Sequence, residues 1–243
     1  MIDSLKRLLR ALLDGTVVPF VGYVAQRIPG ATVIRELERR TAGECADYVQ
    51  AKMPGALHFE RKRDLWDHAL AKREPLGMVA EFGVWNGRSI NHIAKRVAPA
   101  LVHGFDSFEG LREDWSGWEL PKGKFDRKGR MPGVEPNVRL VKGWFNETLP
   151  AFLSSQARRF SFIHIDCDTY EASKEVLDQV GPWIAAGTVI VFDEYFGYRG
   201  WRLGEFKAWQ DFVRSRGIDY DYVAFSLQSV SIRVTRVGSA PVA

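Results

Sequence analysis

Two carboxylates one residue apart, Asp166 and Asp168, close the short aromatic and β-branched run Phe160-Ser-Phe-Ile-His-Ile. A second pair, Asp193 and Glu194, closes Gly187-Thr-Val-Ile-Val-Phe further along. Each run reads as a buried strand, and the first is followed by a helical pattern in Ser173, Val176, Leu177, Val180 and Trp183. In alternating α/β chains ligands bind outside the carboxyl ends of the strands. If the two strands are parallel neighbours, their acidic ends converge on one rim. Such a rim is suited to accepting protons and holding hard cations.

The elements that would position these groups alternate regularly. Met78–Gly83 is a strand running into a glycine turn, Arg88–Val97 a helix burying Ile90, Ile93, Ala94 and Val97, and Leu101–Asp106 a second strand. Val138–Gly143 is a third, followed by a helix begun by Thr148 as N-cap with Pro150 near its first turn. After the two acidic strands come a helix over Leu203–Ser215 and an antiparallel pair, Tyr220–Phe225 and Val230–Val234. The expectation is an α/β Rossmann-like sheet, mostly parallel, with seven strands and the last antiparallel, over residues 76–243. Residues 1–75 read as a helical N-terminal cap or oligomerisation region, and a homodimer is expected through it. Leu5, Leu8, Leu9, Leu12 and Leu13 form an apolar helical face there, packed on the domain or a partner; contact with a membrane surface is the second reading. One connection, Ser107–Asn137, is too long for a simple loop. It carries Lys122, Lys124, Arg127, Lys128 and Arg130 and reads as a lid or binding loop, with a solvated basic loop as the alternative.

Composition narrows the classes. The 243 residues are 46% hydrophobic and 26% charged, the balance of a globular chain, with 34 basic against 30 acidic residues. A net charge of +4 without a dense Lys/Arg tract gives a nucleic-acid reading only a weak push, and no nucleic-acid partner is expected. Two cysteines, Cys45 and Cys167, make no metal pattern, which with the absence of a signal-peptide pattern points to a reducing cytoplasm.

Five successive strands end in Glu81/Gly83, Asp106, Lys142/Gly143, Asp166 and Asp193, which marks a cofactor cleft. A dinucleotide turn needs Gly-x-Gly-x-x-Gly so that backbone can approach a pyrophosphate. Here Trp85 stands where the second glycine belongs, in Gly83-Val-Trp-Asn-Gly87. That suits a cofactor without a phosphate, S-adenosylmethionine, with Gly83 and Gly87 giving close backbone approach. Glu81 would receive its ammonium and Asp106 both ribose hydroxyls.

Glu81-Phe-Gly-Val-Trp-Asn-Gly, Asp106-Ser-Phe-Glu-Gly-Leu, Gly143-Trp-Phe-Asn-Glu-Thr-Leu-Pro, Asp166-Cys-Asp-Thr-Tyr-Glu and Asp193-Glu-Tyr together resemble the macrocin O-methyltransferase family. These are class I enzymes that methylate sugar hydroxyls of natural products with Mg²⁺. The resemblance spans about Gly77 to Phe212. It implies that Glu81, Gly83 and Asp106 hold the cofactor and that Lys142, Gly143 and Trp144 lie by the adenine. Gly87, Ser89, Ser107 and Asp166 complete the cofactor set. Asp166, Asp193 and Glu194 would fall on the metal ligands. Cys167 replaces the family's usual glycine and Glu194 its second aspartate; the extra methylene of Glu moves its oxygens by over ~1 Å.

Methyl transfer to oxygen needs alignment and removal of one proton. Asp168 is the candidate base, and capping of the following helix is its alternative use; Asp166 belongs with it among the catalytic residues. His164 reads as a buried, satisfied strand residue. Tyr195–Trp201 is a candidate acceptor platform, with Arg199 or Arg202 for an anionic group. The expected activity is S-adenosylmethionine-dependent O-methylation of a sugar or hydroxylated small molecule. Metal-independent carboxyl or nitrogen methylation and a non-catalytic cofactor-binding protein are the rivals.

Overall fold

The computed structural model describes residues 31–238 and the isolated positions 13, 15 and 19; Leu5, Leu8, Leu9 and Leu12 of the expected N-terminal face lie outside them. The chain divides into two compact units, Met1–Ala46 and Asp47–Ala243. The expected division at residue 75 does not coincide with this one, because residues 47–75 are built into the unit that holds the sheet.

The described elements are α1 (Ala31–Lys52), β1 (Leu57–His58), α2 (Lys62–Ala71), β2 (Met78–Phe82), α3 (Arg88–Val97), β3 (Val102–Asp106), β4 (Val138–Lys142), α4 (Phe145–Ser154), β5 (Phe160–Ile165), α5 (Tyr170–Val180), β6 (Val189–Phe192), α6 (Glu205–Arg216), β7 (Ile218–Ser226) and β8 (Ser229–Val237). They form one eight-stranded sheet in the order β1-β7-β8-β6-β5-β2-β3-β4. β2 to β6 run parallel, and β8 is antiparallel to both its neighbours. The strand beyond the expected seven is β1, two residues paired parallel to β7, too short to leave a periodic signal. Chain order proceeds outward from β2 through β3 and β4 on one side and from β5 through β6 on the other. The switch therefore lies between β2 and β5, where a ligand cleft opens at the strands' carboxyl ends.

Side chains alternate across the sheet as the pleat requires. Val79 of β2, Phe162 of β5 and Val189 and Val191 of β6 face α2 and α3, packing with Leu65, Ala69, Ile90 and Ile93 in one buried cluster. On the other face Phe82 stacks on Phe105 at 5.1 Å, and Phe105 meets Phe152 of α4 edge-on at 5.0 Å. Two local expectations shift. Helix α4 starts three residues before Thr148, whose hydroxyl donates to the Trp144 carbonyl at 2.9 Å inside the first turn, and Pro150 lies within the helix. The Tyr195–Trp201 segment is packed rather than open, with Tyr195, Tyr198 and Trp201 each at most 5% exposed.

Phe162, fully buried at mid-sheet, belongs to the cluster in which α2 and α3 pack on the sheet. Phe162→Ala is expected to lower unfolding free energy by about 3–5 kcal/mol, read by urea denaturation.

Candidate active site

The switch point opens into a cavity of about 910 Å³, at the upper end of the size range of small-molecule sites. Gly83, Val84, Trp85 and Ser89 after β2, Asp106 and Ser107 after β3, and Gly143 and Trp144 after β4 line one side. Asp166 and Asp168 after β5, and Asp193 and Glu194 after β6, line the other. Residues Gly110–Glu113, Trp115 and Phe125 of the long connection complete the wall, as a lid would. Its five expected cations are absent from that lining, and Lys122, Lys124, Lys128 and Arg130 are exposed.

Each cofactor-turn residue has a definite local task. Gly83 has φ +88°, and a Cβ there would stand 1.7 Å from the Asp166 carbonyl oxygen. The close approach that excludes a side chain is thus to the protein's own backbone at the acidic corner. Trp85, with φ +44°, is 46% exposed at the cavity and meets Phe125 of the lid edge-on at 5.3 Å. Asp106 accepts the Val84 and Trp85 amides on one oxygen at 2.8 and 2.7 Å, and the Phe108 amide on the other at 2.6 Å. A carboxylate has about four acceptor sites, so one is left for a ribose hydroxyl rather than the expected two. Gly87, at φ +79°, starts α3 and is not among the lining residues. Lys142 also stays out of the cavity and ties down the lid by donating to the Gly129 carbonyl at 2.7 Å. The Arg112 guanidinium lies 4.1 Å over the Trp144 ring.

Glu81 is corrected most sharply. It is fully buried and outside the cavity, where it accepts from Ser89 Oγ and faces His164 Nδ1, each at 3.0 Å. The period of two places Glu81, His164 and Asp193 on the same face of adjacent strands β2, β5 and β6. His164 Nε2 lies 3.6 Å from Asp193 Oδ1, an ion-pair separation. Burial alone would lower the imidazole pKa, but the Asp193 and Glu81 carboxylates outweigh it and raise it to about 10. The two carboxylates thus favour the protonated ring. Burial raises the Glu81 carboxyl. Burial also opposes ionisation of Asp193, yet His164 and Lys62 hold it below the usual carboxylate range.

Lys62 and Glu205 reach the acidic corners although no sequence pattern marks them. Lys62, the first residue of α2, puts its Nζ 2.6 Å from Asp193 Oδ2 and 3.4 Å from Glu194 Oε1. Nothing in a single lysine of a mixed-charge segment marks it. Glu205, the first residue of α6, is fully buried. It accepts the Cys167 and Asp168 amides at 3.4 and 3.3 Å and the Glu194 amide at 3.1 Å, clamping the two acidic corners to each other. Burial raises its pKa to about 7 against those amide bonds. A glutamate in a first helical turn carries no sequence signal beyond the ordinary dipole preference.

The acidic set differs from the expected one in one member. Asp166, Asp168 and Glu194 can bring oxygens within 4.8 Å of one another. Asp193 is instead engaged by Lys62, His164 and the Ser229 hydroxyl at 3.0 Å. Asp168 is not the helix cap: Thr169 is, its Oγ1 accepting the Ala172 amide at 3.3 Å. Asp168 adopts φ +68°, a left-handed conformation that aspartate tolerates better than most residues. Burial, then Asp166, raises the Asp168 carboxyl well above its ordinary range; burial, then Asp193, does the same to Asp166 and Glu194. Glu194 Oε2 is buried with no hydrogen-bond partner. Three crowded carboxyls and an orphaned oxygen are a donor set that a hard divalent cation fits.

Comparison with known proteins agrees with this architecture. Residues 80–195 match a family model described as a methyltransferase domain. A tetracenomycin-pathway enzyme of Streptomyces olivaceus, 8-demethyl-8-(2,3-dimethoxy-alpha-L-rhamnosyl)-tetracenomycin-C 4'-O-methyltransferase, is 28% identical, with 80% of this chain and 78% of that one covered. Mycinamicin III 3''-O-methyltransferase of Micromonospora griseorubida is 26% identical over 76% of this chain and 81% of its own. Among solved structures, the calicheamicin methyltransferase CalS11 superposes with a TM-score of 0.56 at 22% identity, covering 84% of this chain and 93% of that one, a likeness of fold. The chain is an S-adenosylmethionine-dependent methyltransferase. Its similarity lies with sugar O-methyltransferases of antibiotic pathways, as the motif resemblance to the macrocin group implies.

Two outcomes test the site's construction. Glu205→Ala leaves buried amides unpaired and is expected to cost about 2–4 kcal/mol by chemical denaturation. Because His164 is raised from 6.5 to about 10, its stabilisation is complete below pH 6.5 and is lost as pH climbs through about 10. With metal chelated, His164→Gln is expected to be less stable at pH 7 and to show a flatter decline toward pH 10.

Proposed function

We propose that the protein transfers a methyl group from S-adenosylmethionine to a hydroxyl of a sugar or of a glycosylated or hydroxylated small molecule, assisted by a divalent cation such as Mg²⁺. The observation that carries this reading is the open carboxylate triad Asp166, Asp168 and Glu194, with its unpartnered Glu194 oxygen, on the wall of the cofactor-sized cavity. The two curated relatives, both named as O-methyltransferases and one for a dimethoxyrhamnosyl compound, support the sugar acceptor.

In this reading the turn from Gly83 to Ser89, the free acceptor site of Asp106 and the Gly143–Trp144 turn hold the cofactor. Asp166, Asp168 and Glu194 hold the cation, which when bound polarises an acceptor hydroxyl and lowers its pKa. No protein hydrogen bond reaches the Asp168 carboxylate among the described residues, so it keeps an oxygen available to take the hydroxyl proton. Lid residues Trp115 and Phe125 and the Trp85 ring wall the cavity and limit water, and the rings offer apolar faces to a sugar. The Arg199 guanidinium is paired with Glu119, and the Arg202 guanidinium lies over the Trp201 ring; neither lines the cavity, so the reading does not require an anionic acceptor.

Calorimetric titration of S-adenosylhomocysteine is expected to show micromolar binding that Asp106→Ala abolishes, with NADH inert. Binding of NADH instead would overturn the reading. In methyl-transfer assays on glycosylated acceptors, Asp168→Asn is expected to lose at least about 100-fold in kcat, the scale of a removed general base. Because Asp168 is raised above its ordinary range, activity should rise with pH through a limb above that of a free aspartate, and Mg²⁺ should move the limb to lower pH.

A further inference from the structure

The acidic corner already contains a cation of the protein's own. Lys62 reaches it from α2, with a side chain only 26% exposed. Its Nζ is 2.6 Å from Asp193 Oδ2, while Asp193 Oδ1 accepts from the Ser229 hydroxyl at 3.0 Å and lies 3.6 Å from the His164 ring. Each oxygen of Asp193 thus has a protein partner, Ser229 sharing its proton with the Asp193 carbonyl at 3.0 Å, and the group of carboxylates with oxygens close to one another omits Asp193. Glu194 is divided: Oε1 lies at the outer limit of Lys62, and Oε2 is buried without a partner.

We propose that Lys62 is a positioning residue that withdraws Asp193 from the cation site, holding that site at three carboxylates and setting its affinity for a divalent cation. The proposal rests on the reading that this corner takes such a cation. The ammonium acts twice, once by neutralising a carboxylate and once by placing a positive charge a few ångströms from the incoming ion. Both effects oppose tight loading. Lys62 also supplies a substitute counter-charge to Glu194 when no ion is bound, which keeps the crowded carboxyls tolerable in the empty site. The result is a site that binds its cation weakly enough to exchange it.

The test is Mn²⁺ titrated into the full-length protein, with free ion read by electron paramagnetic resonance. Unit charges this close interact strongly at a protein's effective dielectric, so Lys62→Met is expected to bind Mn²⁺ at least about tenfold more tightly than the unsubstituted protein. The double variant Lys62→Met/Asp193→Asn is expected to return to about the original affinity, and Lys62→Arg, which keeps the charge, to stay within about threefold of it. Affinity unchanged or weakened in folded Lys62→Met overturns the role of Lys62 and leaves the cation reading standing. If Lys62→Met does not fold, the comparison rests on Asp193→Asn: a loss as large as that of Asp166→Asn makes Asp193 a ligand and overturns the proposal, and a much smaller loss supports it. Absence of Mn²⁺ binding in the unsubstituted protein and in every variant overturns the cation reading itself, and this inference with it.

Discussion

The site depends on a buried histidine held between two carboxylates. His164 lies at the centre of the sheet with no exposed surface, between the Glu81 and Asp193 carboxylates on the neighbouring strands. An isolated imidazolium there would be expelled by desolvation, and isolated carboxylates would take up protons. Together they form a continuous line, from Ser89 on α3 through Glu81, His164 and Asp193 to Lys62 on α2. Both helices on that face are tied to the carboxyl ends of three strands. Neutral replacement of one member leaves the next buried and unpaired, so the row acts as a unit.

A second device works at right angles to the first. Glu205 collects backbone amides from the corners after β5 and β6, bringing Asp168 and Glu194 to one wall of the cavity. The corner residues are thus fixed through their main chain while their carboxylates stay open toward the cleft. That division explains how several acidic groups coexist: some carboxylates belong to the scaffold and some face the ligand. Glu81, inside β2, falls in the first group, and Asp193 stands between the two, lining the cavity while pairing with Lys62 and Ser229.

Much of this was legible in the residues. Strand-terminal acids, the glycine turn at Gly83 and the helix after it follow from periodicity and turn chemistry, and the parallel topology follows from their alternation. The residue roles were harder. Glu81 lies one residue short of the end of β2 whether it faces the cleft or the core, and only the partner at His164, far away in sequence, decides. A stricter use of the two-residue period would have put Glu81, His164 and Asp193 on one face, because each shares it with core valines or phenylalanine. Lys62 and Glu205 were illegible for a different reason. Each acts over long sequence separation through a single side chain, and neither makes a local pattern. The two-residue β1 is invisible in the same way, since its pairing is decided by β7.

The contact of Gly83 with Asp166 joins what would otherwise be separate halves of the cleft. The turn after β2 rests directly on the carbonyl of the corner after β5, with no side chain between to cushion it. On the proposed reading, the turn that holds the donor and the corner whose carboxylates meet the acceptor are therefore two sides of a single backbone seam.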